Sequence, residues 1–115
     1  MSSRPRRLEA LLLHNDNLMR HFYRSHRPPA EVLAAADNFF PNLGLAQIDS
    51  EPRARTFSGA LGVARIRVKA EGGHYTFVEV ETDQMGESRM DRNVKRFFVT
   101  IHRTEDPGHA LEANY

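Results

Sequence analysis

The spacing of apolar positions changes along the chain, and each change marks an element. Leu8, Leu11, Leu12, Leu18, Met19 and Phe22 recur at helical intervals, with the poor helix formers Asn15, Asp16 and Asn17 among them. Two readings fit this stretch. Either one helix covers about residues 7–24, or a short helix ends near His14 and a strand covers about Met19 to His26. Pro28 and Pro29 forbid continuation of a preceding helix and suit the first turn of a new one. From Ala30 to Phe40 the chain is rich in alanine and leucine, Val32, Ala36 and Phe39/Phe40 fall on one side, and Pro41 with Gly44 marks a stop, so a helix is predicted.

After Gly44 the pattern turns to short alternating segments punctuated by Glu51-Pro52, Ser58-Gly59, Gly62 and Gly72-Gly73, as in an antiparallel meander. Strands are predicted near 45–50, 53–58, 62–70 and 75–83. A three-residue loop of Gly72, Gly73 and His74 sets Ala64, Ile66, Val68 and Ala70 opposite Thr82, Val80, Val78 and Thr76 on one face. Arg65 then meets Glu81, and Arg67 meets Glu79, on the other. A two-residue loop would set Ile66 opposite Glu79 and mix core with solvent positions, which a sheet with one buried face penalises. Finally, Ser88 can cap a helix with Asp91 in its first turn. Met90, Val94, Phe97 and Ile101 form a narrow apolar stripe on it, flanked by Phe98, with Arg89, Arg92, Lys95, Arg96 and Arg103 on the remainder. The fold class expected is α+β, an antiparallel sheet of four to five strands covered by a long C-terminal helix, with an N-terminal helical extension.

Two segments resemble a known superfamily. Ser25-His-Arg-Pro-Pro-Ala-Glu-Val-Leu-Ala-Ala-Ala36 is similar to the opening of START-like, polyketide-cyclase-type helix-grip (SRPBCC) proteins, in which a first strand runs into a Pro-Pro-Ala-Glu-Val helix start. The stretch from Gly86 to Arg103 looks like the long helix that grips the sheet there. The resemblance covers about residues 18–103 and implies the strand reading for Met19 to His26. Full members have more strands and a second short helix after the first, so this chain reads as a shortened member, a miniature helix-grip. The organisation expected is a basic tail and short helix over 1–17, the helix-grip-like domain over 18–103 and an acidic tail over 104–115.

Composition narrows the function. The 115 residues suit one domain with one core. No stretch approaches the roughly 18 uncharged apolar residues of a membrane span, and Leu11 to Leu13 is too short for the hydrophobic region of a signal peptide, so a cytoplasmic protein is expected. The chain has no cysteine, which removes disulfides, thiol nucleophiles and cysteine metal sites together. Net charge is only +1 but unevenly placed. Residues 1–27 carry six arginines against Glu9 and Asp16, whereas the last twelve residues carry Glu105, Asp106 and Glu112 unopposed. Near-neutral charge, the absence of tryptophan and the acidic residues interleaved along the sheet argue against nucleic acid as a partner.

No chemistry emerges from local spacing. His14, His21, His26, His74, His102 and His109 show no short metal-ligand spacing, so no metal and no cofactor are expected; His74 reads as a turn residue and His102 as a half-buried imidazole beside the helix stripe. Glu79, Glu81 and Asp83 read as a solvated charge ladder facing Arg65 and Arg67 rather than as acid–base groups. Ser58-Gly59-Ala60-Leu61-Gly62 is a hairpin turn, not a phosphate loop, and no Gly-x-Ser-x-Gly element occurs. No catalytic residue is assigned. The resemblance implies an apolar ligand between sheet and closing helix, lined by Ile66, Val68, Val78, Val80, Met90, Val94, Phe97 and Phe98. Arg4, Arg6, Arg7, Leu8, Leu11 and Leu12 are the candidate anchor on a protein partner or a second copy. The expected role is a non-catalytic binding or accessory protein, with a structural subunit of a larger complex, docked through its N-terminal segment and sheet, as the alternative.

Overall fold

The computed structural model of the protein describes residues 19–84 and 88–105. The chain runs β1 (Met19–Ser25), α1 (Pro29–Phe39), a short 3-10 helix (Pro41–Leu43), β2 (Ala46–Glu51), β3 (Ala54–Gly59), β4 (Gly62–Glu71), β5 (Tyr75–Thr82) and α2 (Arg89–Glu105). The five strands form one antiparallel sheet in the order β1-β5-β4-β3-β2. The architecture is therefore α+β. The strand over Met19–Ser25 forms although the apolar spacing there also fits a helix. Its alternate residues Met19, His21, Tyr23 and Ser25 pair directly with Thr82, Val80, Val78 and Thr76 of β5. Long-range pairing thus decides between two readings that are locally close.

The β4–β5 hairpin has the three-residue loop. Glu71 pairs with Tyr75, and Ile66 with Val80, Val68 with Val78, Arg65 with Glu81 and Arg67 with Glu79. Gly72 and Gly73 both sit at positive φ, 60° and 77°, where a side chain would be strained, which is why two glycines close this loop. The hairpin register in turn puts Ala64, Ile66, Val68, Thr76, Val78, Val80 and Thr82 on the buried face.

Both helices cover that face. Pro28 and Pro29 start α1, whose Val32, Leu33 and Ala36 are buried over β3 and β4. Asp37 accepts hydrogen bonds from Arg55 Nε at 3.2 Å and Gln47 Nε2 at 2.8 Å, tying α1 to β2 and β3. Helix α2 lies over β1 and β5. Ser88 Oγ accepts the Asp91 N–H at 3.0 Å, the predicted cap, and Met90, Val94, Phe97 and Ile101 are fully buried. Phe40, Phe57 and Phe97 join the two helices to the sheet, with ring centroids 5.1–5.2 Å apart.

Two expectations change. The closing helix, Arg89–Glu105, is 17 residues rather than long and starts at its Ser88 cap. It also shares the covering of the sheet with α1. The N-terminal helical extension lies outside the described residues.

Candidate functional site

The eight residues expected to line a pocket come together, but as core. Ile66, Val68, Val78, Val80, Met90, Val94 and Phe97 are at most 5% exposed and belong to one packed cluster, with Phe98 partly buried against it. Arg4, Arg6, Arg7, Leu8, Leu11 and Leu12 lie outside the described residues. No group of three His, Asp or Glu side chains is placed to hold a metal ion among the described residues.

Between β1 and α2 runs a polar seam that the sequence reading did not single out. His21 points from the inner face of β1 toward Asp91 in the first turn of α2; its Nε2 is 3.1 Å from Asp91 Oδ1, within ion-pair reach but without hydrogen-bond alignment. Lys95 Nζ, one turn on, is 3.2 Å from Asp91 Oδ2. Burial pushes the His21 imidazole below its ordinary pKa; Asp91 acts in the opposite direction and Lys95 adds to the lowering. Two residues along β1, Tyr23 stacks on Phe98 at 5.3 Å, and its hydroxyl is 3.3 Å from His102 Nδ1. His102 itself is exposed, not half-buried, because it sits on the flank of α2 turned from the core stripe. The missed signal was the period of two: once Met19–Ser25 is a strand, His21 and Tyr23 share the inward face.

The outer face of the sheet differs from the predicted solvated ladder. Arg65 and Glu81 are only 6% exposed. The strand register is as expected, but the ion pairs follow it only in part: Arg20 meets Glu81 directly across β1 and β5, whereas Arg67 reaches diagonally past Glu79. Glu81 is reached by Arg20 Nε at 3.0 Å and by Arg67 Nη2 at 3.3 Å, while Arg65 Nη2 is 3.5 Å from Glu51 Oε1. A long arginine such as Arg67 spans to the next pair along the strand, so Glu81 is served by neighbours from two strands, β1 and β4.

Beyond this closed half the outer face opens and turns aromatic. Phe22 on β1 is 55% exposed and Tyr75 on β5 is 44% exposed. Phe22 stacks on Phe77 with centroids 5.5 Å apart, Tyr75 lies 4.8 Å from His26, and the Arg24 guanidinium stands 5.8 Å above the Phe77 ring. Arg24–Glu71 at 3.1 Å and Arg20–Glu79 at 3.6 Å border the patch. A shallow groove of about 420 Å³ continues it, lined by Arg67, Val68, Lys69, Glu71, Phe77 and Glu79.

The opposite side of the molecule carries another groove, of about 410 Å³, between the outer surfaces of α1 and α2. Ala34, Ala35 and Phe39 form its apolar part, with Asn38, Asn42 and Thr100 among its polar groups.

Compared with known proteins, the chain matches no family model and no curated sequence. Among the described residues no helix is long and apolar enough to cross a membrane.

Proposed function

We propose that this protein is a non-catalytic binding or accessory module whose open sheet face docks on a protein partner. One observation carries the reading: Phe22 and Tyr75, large aromatic side chains about half exposed, stand on the side of the sheet away from the core, with Phe77 between them. An aromatic centre bordered by paired charges has the make-up of a protein interface, where tyrosine, phenylalanine and arginine are enriched and the rim is polar. Solvating that patch offers the monomer nothing, whereas covering it removes apolar surface from water at about 25 cal/mol per Å².

The interior reading, an apolar small molecule between sheet and closing helix, requires the packed cluster of Ile66, Val78, Val80 and Met90 to part. The outer face needs no rearrangement. Kinship with the helix-grip superfamily belongs to the same proposal; it is supported by the placement of β1 beside β5 and by a closing helix packed over β1 and β5.

Native mass spectrometry of the protein purified from its own host, with Phe22→Asp and Tyr75→Asp variants alongside, tests the reading. The wild type is expected to carry a stoichiometric protein partner that both variants lose while keeping their circular dichroism. A wild type that runs as the bare chain, or a partner retained by both variants, would sink it.

A further inference from the structure

The exposed face of α2 concentrates charge in a way that the net charge of +1 conceals. Arg89, Arg92, Arg96 and Arg103 follow one another at intervals of three, four and seven residues, so they fall on one line of the helix. All four are exposed. At about 1.5 Å per residue the line is about 21 Å long. Arg89, Arg92 and Arg103 have no ion-pair partner among the described residues, and Arg96 contacts only the Asn93 side-chain oxygen, at 3.3 Å. The one carboxylate of the helix whose place is described, Asp91, is buried on the opposite flank and is already engaged by Lys95 and His21. Six of the seven described arginines outside α2, Arg20, Arg24, Arg27, Arg55, Arg65 and Arg67, pair with carboxylates within 4 Å. The stripe is therefore a local excess of positive charge with no counterpart among the described residues.

The groove between the helices runs beside this stripe. Thr100, on its wall, lies one turn from Arg96 and one turn from Arg103. Across the groove stand Asn38 and Asn42. Asn42 Nδ2 donates to the Asn38 carbonyl at 3.0 Å, and both residues line the groove. Phe39 and two alanines supply an apolar wall, and Glu31, the only carboxylate among the described lining residues, is held by Arg27 at 3.2 Å. A row of guanidiniums next to a groove with amide donors and acceptors and an aromatic wall fits a ligand with a repeating anionic backbone and planar polar side groups. Guanidinium forks bind phosphate in two-point fashion, and amides read base edges.

We propose that the α1–α2 face binds single-stranded nucleic acid, with backbone phosphates along Arg89, Arg92, Arg96 and Arg103 and a base in the groove at Asn38, Asn42 and Phe39. This surface is separate from the aromatic patch on the sheet, and it stands or falls independently of that proposal.

Fluorescence anisotropy with short labelled oligouridylate and oligothymidylate, titrated against the full chain over a salt series, tests it. Binding is expected to weaken linearly on a log–log salt plot. Arg92→Gln and Arg96→Gln together are expected to lower affinity about tenfold and to reduce the slope by about 0.7 for each contact removed. Asn38→Leu is expected to lower affinity with the slope unchanged, the signature of a lost base contact. Phe22→Asp, on the other side of the molecule, is expected to bind as the wild type does. No binding at low salt, or binding that both arginine changes leave intact, overturns the proposal. So does equally tight, equally salt-dependent binding of polyglutamate or of phosphatidylserine vesicles, which would make the stripe an unselective anion surface. Thermal unfolding of each variant separates a lost contact from a lost fold.

Discussion

At the residue scale the most informative side chain is His21. Its imidazole is largely enclosed between β1 and α2, and burial outweighs the nearby Asp91 carboxylate, so the folded protein takes up a proton there less readily than the unfolded chain does. The unfolded state binds more protons on acidification, and stability therefore rises with pH through this group. Its contribution is fully present above the ordinary imidazole value of about 6.5 and is lost as pH falls below it. Urea denaturation of the wild type is expected to show a falling midpoint between about pH 7 and about pH 5. A His21→Gln variant is expected to lose that part of the slope, and equal slopes for the two proteins would show that His21 is not its source. Residue chemistry of this kind was only partly legible in the sequence. The Ser88 cap and the stripe Met90, Val94, Phe97 and Ile101 were read correctly, since both depend on neighbours within a turn or two. The pairing of His21 with Asp91 was not, since the two are far apart in the chain and meet only across a strand and a helix.

At the scale of elements, the β1–β5–β4 ladder shows how register and ion pairing separate. Cα register places Arg65 opposite Glu81 and Arg67 opposite Glu79, as alternation requires, yet Glu81 is the hub, serving Arg20 and Arg67 with its side chain only 7% exposed. Glu79 is more open and has Arg20 at 3.6 Å. Glu81→Gln is accordingly expected to destabilise by about 1–3 kcal/mol, because charge-assisted hydrogen bonds are lost at a buried position. Glu79→Gln is expected to stay within about 0.5 kcal/mol. Chemical denaturation of the two variants checks the order; equal costs would mean that the paired arginines at Glu81 carry no weight. The strand positions themselves were legible, because the two-residue period and the glycine punctuation between 44 and 83 leave little choice. The diagonal side-chain geometry was not, because an arginine spans two positions along a strand and its choice depends on which partners arrive from β1 and β2.

At the scale of the whole molecule, one aromatic knot joins every layer. Phe97 of α2 lies 5.4 Å from Phe39 and 5.1 Å from Phe40 at the end of α1, and Phe40 stacks on Phe57 of β3. Phe97→Ala is expected to cost about 3–5 kcal/mol, a large share of the about 5–15 kcal/mol that holds a domain of this size. Urea unfolding followed by far-ultraviolet and near-ultraviolet circular dichroism is expected to shift as one transition, since both helices lean on the same ring. Two separate transitions would instead show that α1 and the sheet hold together without α2. The alternation of the middle segments, the proline start of α1 and the apolar stripe of α2 were settled by composition and spacing alone, because such features act between residues close in the chain. The sheet order β1-β5-β4-β3-β2, the sharing of one sheet face by two helices, and the placing of the exposed aromatic residues on the sheet's outer surface and of the α2 arginine line on the opposite one were decided only by tertiary structure. The reason is physical: a strand's inward side, a helix's open side and the partner of a charge are properties of packing between distant segments, and local pattern constrains them without choosing among them.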